Sequence, residues 1–109
     1  MSQEQQRKIN ESLSELRFSN KSGSHLNCIR INSSSKGPHN DKIIELCKGY
    51  LELGIPFITE AVFTNGKRCD ILLPATMEII EVLHTETDDE FEKKIESYPD
   101  IFQVTKVRV

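Results

Sequence analysis

This sequence predicts a mixed α/β (α+β) fold, with helices laid on a small sheet. The expected order is helix, strand, strand, strand, helix, strand, behind an N-terminal arm. Three observations predict it. Phe57 to Leu83 holds three short apolar runs divided by turn residues, the pattern of consecutive strands. The flanking stretches Ile43–Leu51 and Phe91–Tyr98 repeat apolar residues every three or four positions, as helices do. Ile101 to Val109 then returns to alternation, and a right-handed crossover brings that last strand parallel to the third.

Residues 1–36 form the arm. Gln3 to Arg17 is expected to be helical, with Ile9, Leu13 and Leu16 on one side. Phe18 to Ser24 is turn-rich, Leu26 to Ile31 reads as a short strand, and Ser33-Ser-Ser-Lys-Gly-Pro38 as a flexible linker. The arm is the more basic part of the chain, carrying Arg7, Lys8, Arg17, Lys21, Arg30 and Lys36. Solvated surface is the simpler account of those cations. The arm as a whole reads as an embellishment or a dimer contact.

Residues 37–109 form the core. Asn40 or Asp41 can cap a helix that ends near Leu53, with Gly54 as its stop and Pro56 just beyond. Phe57–Phe63 and Lys67–Leu73 make a hairpin around Asn65-Gly66, and Met77–Leu83 follows as a third strand. Thr87-Asp-Asp-Glu90 is a capping box. The helix that it starts sets Phe91, Ile95 and Tyr98 on one face before Pro99.

The chain of 109 residues has room for one small domain. An apolar fraction of 37% supports a modest core, and no run nears the ~18 apolar residues of a spanning helix. The polar start, Met-Ser-Gln-Glu-Gln-Gln-Arg-Lys, has no signal-peptide pattern. Cys28, Cys47 and Cys69 are odd in number and widely spaced, which fits reduced thiols and a cytoplasmic location. A net charge of −3 argues against a simple DNA-binding module but is tolerable in a nuclease whose acids gather at one spot.

Two acids interrupt apolar strands: Asp70 before Ile71-Leu-Leu73, and Glu81 within Ile79-Ile-Glu-Val-Leu83. Aspartate is disfavoured inside strands, and two acids in adjacent strands are a constellation suited to Mg²⁺ or Mn²⁺. Asp70-Ile-Leu-Leu, a short connection, then Ile-Ile-Glu81 resembles the core of the PD-(D/E)XK nuclease superfamily, over residues 40–109. The resemblance implies a restriction-endonuclease-like core in which Asp70 and Glu81 hold the metal. It also implies a lysine two residues after the second acid, where this chain has Leu83. Lys94, beside the Phe91–Ile95–Tyr98 face, is the replacement expected, with Lys93 turned to solvent. The run Arg68-x-Asp70, Glu81, then Lys94 and Tyr98 also looks similar to competence-protein (CoiA-like) nuclease domains, although their glutamine position is again Leu83. Small archaeal Holliday-junction resolvases share the size and element order but keep the lysine.

Further candidates surround that pair. Glu60 faces Ile71 if the hairpin loop has two residues, and Asp70 if it has three; only the second makes it a third ligand or a partner for Arg68. His84 can act as a general base if the strand ends beside it. Near the start of the first core helix stand His39, Asp41 and Glu45, of which Glu45 is the expected additional metal ligand by the resemblance. Lys67 and Arg68 suit a phosphate backbone, and equally suit a soluble strand edge. The expectation is a Mg²⁺- or Mn²⁺-dependent endonuclease acting on DNA as a homodimer. The alternative is a catalytically inactive relative serving as a nucleic-acid-binding or protein-interaction module, which the missing lysine favours.

Overall fold

The computed structural model describes residues 2–17, 25–35 and 37–109. The fold is mixed α+β, and among the described residues three helices accompany one four-stranded mixed sheet. Helix α1 (Gln3–Ser14) is closed by a capping box between Ser2 and Gln5. Helix α2 (Gly37–Leu53) starts earlier than the Asn40 or Asp41 cap expected. Pro38 instead occupies its first turn, where a missing N–H is harmless. Its end is as expected: Gly54 takes φ +70°, and the Ile55 amide returns to the Tyr50 carbonyl at 2.9 Å.

Strands β1 (Ile58–Val62), β2 (Arg68–Leu73) and β3 (Glu78–Leu83) pair antiparallel in sequence. The hairpin closes on Phe63 and Lys67, whose backbone bond is 2.8 Å, so its loop has three residues and Gly66 takes φ +86°. Glu60 therefore stands opposite Asp70. Helix α3 (Asp88–Ile95) starts at the Thr87–Glu90 capping box and ends three residues earlier than its apolar face, which Tyr98 completes from a following turn. The chain then crosses to β4 (Gln103–Arg108), parallel to β3 from Glu78↔Gln103 to Leu83↔Arg108.

Apolar residues fill both faces of the sheet. Leu16, Phe63, Leu72, Ile79, Tyr98 and Phe102 meet on one, while Ile43 and Cys47 of α2 meet Phe57, Ile71, Ile80 and Val82 on the other. Strand alternation slips at one level of the sheet. Ile58 and Ala61 share a face, as do Cys69 and Leu72, although each pair is an odd number of residues apart. The residues between are Glu60, with φ +53°, and Asp70.

The arm is built into the fold. Leu16 is fully buried and bridges Phe63, the Arg17 amide bonds the Val62 carbonyl at 2.9 Å, and the buried Ser12 hydroxyl donates to Pro74 at 3.1 Å. The strand expected at Leu26–Ile31 does not form. Asn27 takes φ +60°, and beyond one backbone bond, from its amide to the Phe57 carbonyl at 2.8 Å, the segment hangs beside β1 on side chains. The Thr59 hydroxyl donates to Cys28 and accepts from the Arg30 amide, both at 2.8 Å, and Asn27 bonds Phe57. A ladder needs backbone groups on both sides, and here a hydroxyl takes their place. The turn-rich segment Phe18–Ser24 with Lys21, and Lys36, lie outside the described residues.

Candidate functional site

The β2–β3 ladder runs Leu73↔Glu78, Leu72↔Ile79, Ile71↔Ile80, and there it stops. At the next level side chains replace backbone carbonyls. The Asp70 amide donates to Glu81 Oε2 at 2.9 Å, and the Val82 amide donates to Asp70 Oδ2 at 2.8 Å. Each acid caps an amide that the parting strands leave without a carbonyl.

Glu81 has 0% exposure. Lys94 Nζ lies 3.0 Å from its Oε1, and the Tyr98 hydroxyl makes a short contact with the same oxygen. Tyr98 is also 3.0 Å from the Arg68 carbonyl. One phenolic proton cannot serve both acceptors. The Tyr98 hydroxyl donates to Glu81 Oε1, and the Arg68 carbonyl is the alternative acceptor within its reach. Burial, then the neighbouring Asp70 charge, push the Glu81 carboxyl up to about 7. Asp70 goes the other way. Burial opposes its ionisation, but hydrogen bonds from His39 and the Val82 amide outweigh it and hold the carboxyl below its usual range. His39 Nε2 is 3.3 Å from Asp70 Oδ2, and that bond raises the imidazole in turn. Burial opposes the charge of Lys94, which the Glu81 carboxylate more than restores.

In front of this pair opens a cleft of about 490 Å³. Asp70, Lys94, His39, His84, Glu60 and Arg68 line it, with Asn32, Ser34 and Ser35 from the arm. Glu81 lies behind this lining. His84 stands just past the end of β3, and its Nδ1 is buried without a hydrogen-bond partner, as is that of His39. Glu60 contacts Arg68 at 3.5 Å.

The structure thus brings together Asp70, Glu81 and Lys94, and sets Glu60, His84 and Arg68 around them. Lys67 is exposed at the hairpin and does not line the cleft. Glu45 is not brought to the pair: it is 69% exposed and bonded to Lys42 at 2.9 Å. Two residues away from Ile43, it lies about 200° round α2 from the stripe that meets the sheet. His39 takes the place expected of Glu45. It stands four residues before Ile43 and eight before Cys47, a spacing that already sets it on the sheet-facing stripe. Tyr98, expected as a core residue, is also the hydroxyl partner of Glu81; nothing in its spacing marks that role.

Mg²⁺ binds through one or two carboxylates and keeps several waters. Asp70 makes both of its contacts through Oδ2, which leaves Oδ1 for a cation, and Glu81 is the adjacent acid. Asp70 meets that minimum by itself, whereas both oxygens of the buried Glu81 are engaged by the Asp70 amide, Lys94 and Tyr98. Among the described residues no group of three or more His, Cys, Asp or Glu is arranged as a metal cage. Comparison with family models, with curated proteins and with solved structures finds no match in any of the three.

Proposed function

We propose that the protein is a small metal-dependent nuclease of the PD-(D/E)XK type, hydrolysing phosphodiester bonds in DNA. One observation carries the reading. Two carboxylates stand on neighbouring strands where the ladder opens, with a lysine from the next helix 3.0 Å from one of them. Leu83, at the usual lysine position, is fully buried, so the cation has to come from another element. A divalent ion held by Asp70 and Glu81 supplies the Lewis acidity that phosphodiester hydrolysis at neutral pH needs. Lys94 holds positive charge where phosphate oxygens gain negative charge. His39, oriented by Asp70, and His84 are the imidazoles that line the cleft and would serve as its proton-transfer groups.

The test is cleavage of end-labelled DNA with Mg²⁺ or Mn²⁺ by the parent protein, Asp70→Asn and Lys94→Ala. Activity that both substitutions abolish supports the reading, and activity that survives Asp70→Asn overturns it. A homodimer is part of the proposal, because 109 residues offer little surface for a duplex. A cytoplasmic setting goes with three widely spaced cysteines, an odd number. No helix among the described residues is long and apolar enough to cross a membrane.

A second reading, an inactive nuclease-like module that binds nucleic acid or protein, has its own support. Glu81 is wholly buried and already satisfied by Lys94, Tyr98 and the Asp70 amide. A titration with Mn²⁺ separates the two readings: no binding and no cleavage select the inactive module.

A further inference from the structure

A second cleft, of about 460 Å³, lies beside the first along the β1 edge. Asn32, Glu60 and Arg68 line both, so one opens into the other. Three arginines face this space, Arg17, Arg30 and Arg68, with His25 and a single acid, Glu60. Glu60 is taken up by Arg68 at 3.5 Å. Arg17 and Arg30 have no carboxylate partner among the described residues. In a chain of net charge −3, this is a local cationic excess.

Arg30 is fixed in place. Its amide bonds the Thr59 hydroxyl at 2.8 Å, and Nη2 donates to the carbonyls of Thr59 and Glu60. Those carbonyls flank the positive φ of Glu60, so the local kink of β1 is what receives the guanidinium. Its Nε is buried and has no hydrogen-bond partner. A held guanidinium between two further cations is suited to a planar or tetrahedral oxyanion. No Phe, Tyr or Trp among the described residues lines the cleft, whose polar lining is dominated by arginines.

We infer that the Arg17–Arg30–Arg68 cleft is a phosphate-binding subsite that holds a phosphate of the nucleic-acid strand whose neighbouring phosphodiester enters the Asp70–Lys94 cleft. The identity of the strand rests on the nuclease reading; the anion site rests on the arginines alone. It assigns a task to the arm, which contributes Arg17, Arg30 and Asn32.

The experiment measures binding of a fluorescent single-stranded oligonucleotide to the full chain in EDTA, across a salt series. The strand is supplied with a 5′-phosphate or a 5′-hydroxyl. Arg30 also braces Thr59 and Glu60, so the exposed Arg17 and Arg68 are the residues to substitute. Arg17→Ala and Arg68→Ala are each expected to weaken binding several-fold and to lower the log–log salt slope by about 0.7, the loss of one phosphate contact on a single strand. Lys48→Ala and Lys93→Ala, which remove exposed charges on α2 and α3, leave both unchanged. Pyrophosphate competes with the oligonucleotide for the parent protein but not for Arg17→Ala. A 5′-phosphate preference that Arg17→Ala abolishes identifies a terminal monoester, and equal binding of both strands identifies an internal diester. Arginine variants indistinguishable from the lysine variants overturn the subsite. Arginine-dependent binding without cleavage by any divalent metal sinks the nuclease reading and leaves the subsite standing.

Discussion

The two ends of the β2–β3 pair differ sharply. From Ile71 to Leu73 the strands meet through backbone pairing, and every residue of that stretch except the half-buried Glu78 is a fully or almost fully buried aliphatic one. From Asp70 onward they meet through two carboxylates, with a lysine, a tyrosine and a histidine gathered on them. A ladder holds strands together by groups that every residue has. Replacing its rungs with acid side chains gives up that generality and puts charge into a place from which water is largely excluded. One end is packed aliphatic side chains; the other gathers the ionisable groups.

The predictions run from the largest effect to the smallest, and each is a way to break that contrast. Leu72→Ala, in the ladder end, is expected to cost about 2–5 kcal/mol of unfolding free energy, read by urea denaturation. It should leave the metal dependence of any remaining activity unaltered. A loss below about 1 kcal/mol would mean that the ladder end is not where stability lies.

Lys94→Ala comes next. It should cut Mg²⁺-dependent cleavage by on the order of 10²-fold, as loss of one transition-state donor does. Lys93→Ala, one residue away and exposed, should be nearly silent. Equal small effects remove the lysine from the chemistry.

Tyr98→Phe keeps the ring that packs on Phe63 and removes the hydroxyl on Glu81. Its expected cost is about 1–3 kcal/mol, that of a buried acceptor losing its partner, measured by urea denaturation at pH 6. An unchanged midpoint would show that the short contact contributes nothing.

The smallest effect is in pH dependence. Glu81 has its folded pKa raised from 4.5 to about 7, so between those values the folded protein holds a proton that the unfolded chain has released. Its stabilising contribution is present in full below pH 4.5 and is lost as pH rises through 7. His39, raised from 6.5, adds to the loss at the upper end of that window. Asp70, lowered from 3.8, has the opposite sign and contributes only above its unfolded value. The metal-free melting temperature should therefore fall from pH 5 to pH 7.5, and Glu81→Gln should flatten the fall. Mg²⁺ favours the ionised pair, so its stabilisation should grow over the same window. A melting temperature that rises with pH and ignores Glu81→Gln would count against a protonated Glu81.

Much of the architecture was legible because it rests on local rules. The Thr87–Glu90 box, the Gly54 stop and the alternation of β3 each involve residues within four positions of one another. The acids at Asp70 and Glu81 were visible because a charge inside an apolar strand is conspicuous, and Lys94 because helical spacing places it beside Phe91 and Ile95. Between the two acids Asp41 and Glu45 the likeness to other proteins points to Glu45, although the three-four spacing with Ile43 and Cys47 sets His39, not Glu45, on the sheet-facing stripe. Leu26–Ile31 looked like a strand because apolar residues alternate there. No local rule announces that the Thr59 hydroxyl will occupy the pairing edge.

The sequence by itself determined the helices and strands of residues 37–109 and which positions carry charge into the sheet, since propensity, capping and period act over a few residues. Only the tertiary structure decided the three-residue hairpin register that sets Glu60 against Asp70, the parting of β2 from β3, and the meeting of Arg17, Arg30 and Arg68 from distant parts of the chain. Those depend on which groups remain to satisfy each backbone amide and each buried charge once the sheet has closed, and that accounting is settled between segments rather than within them.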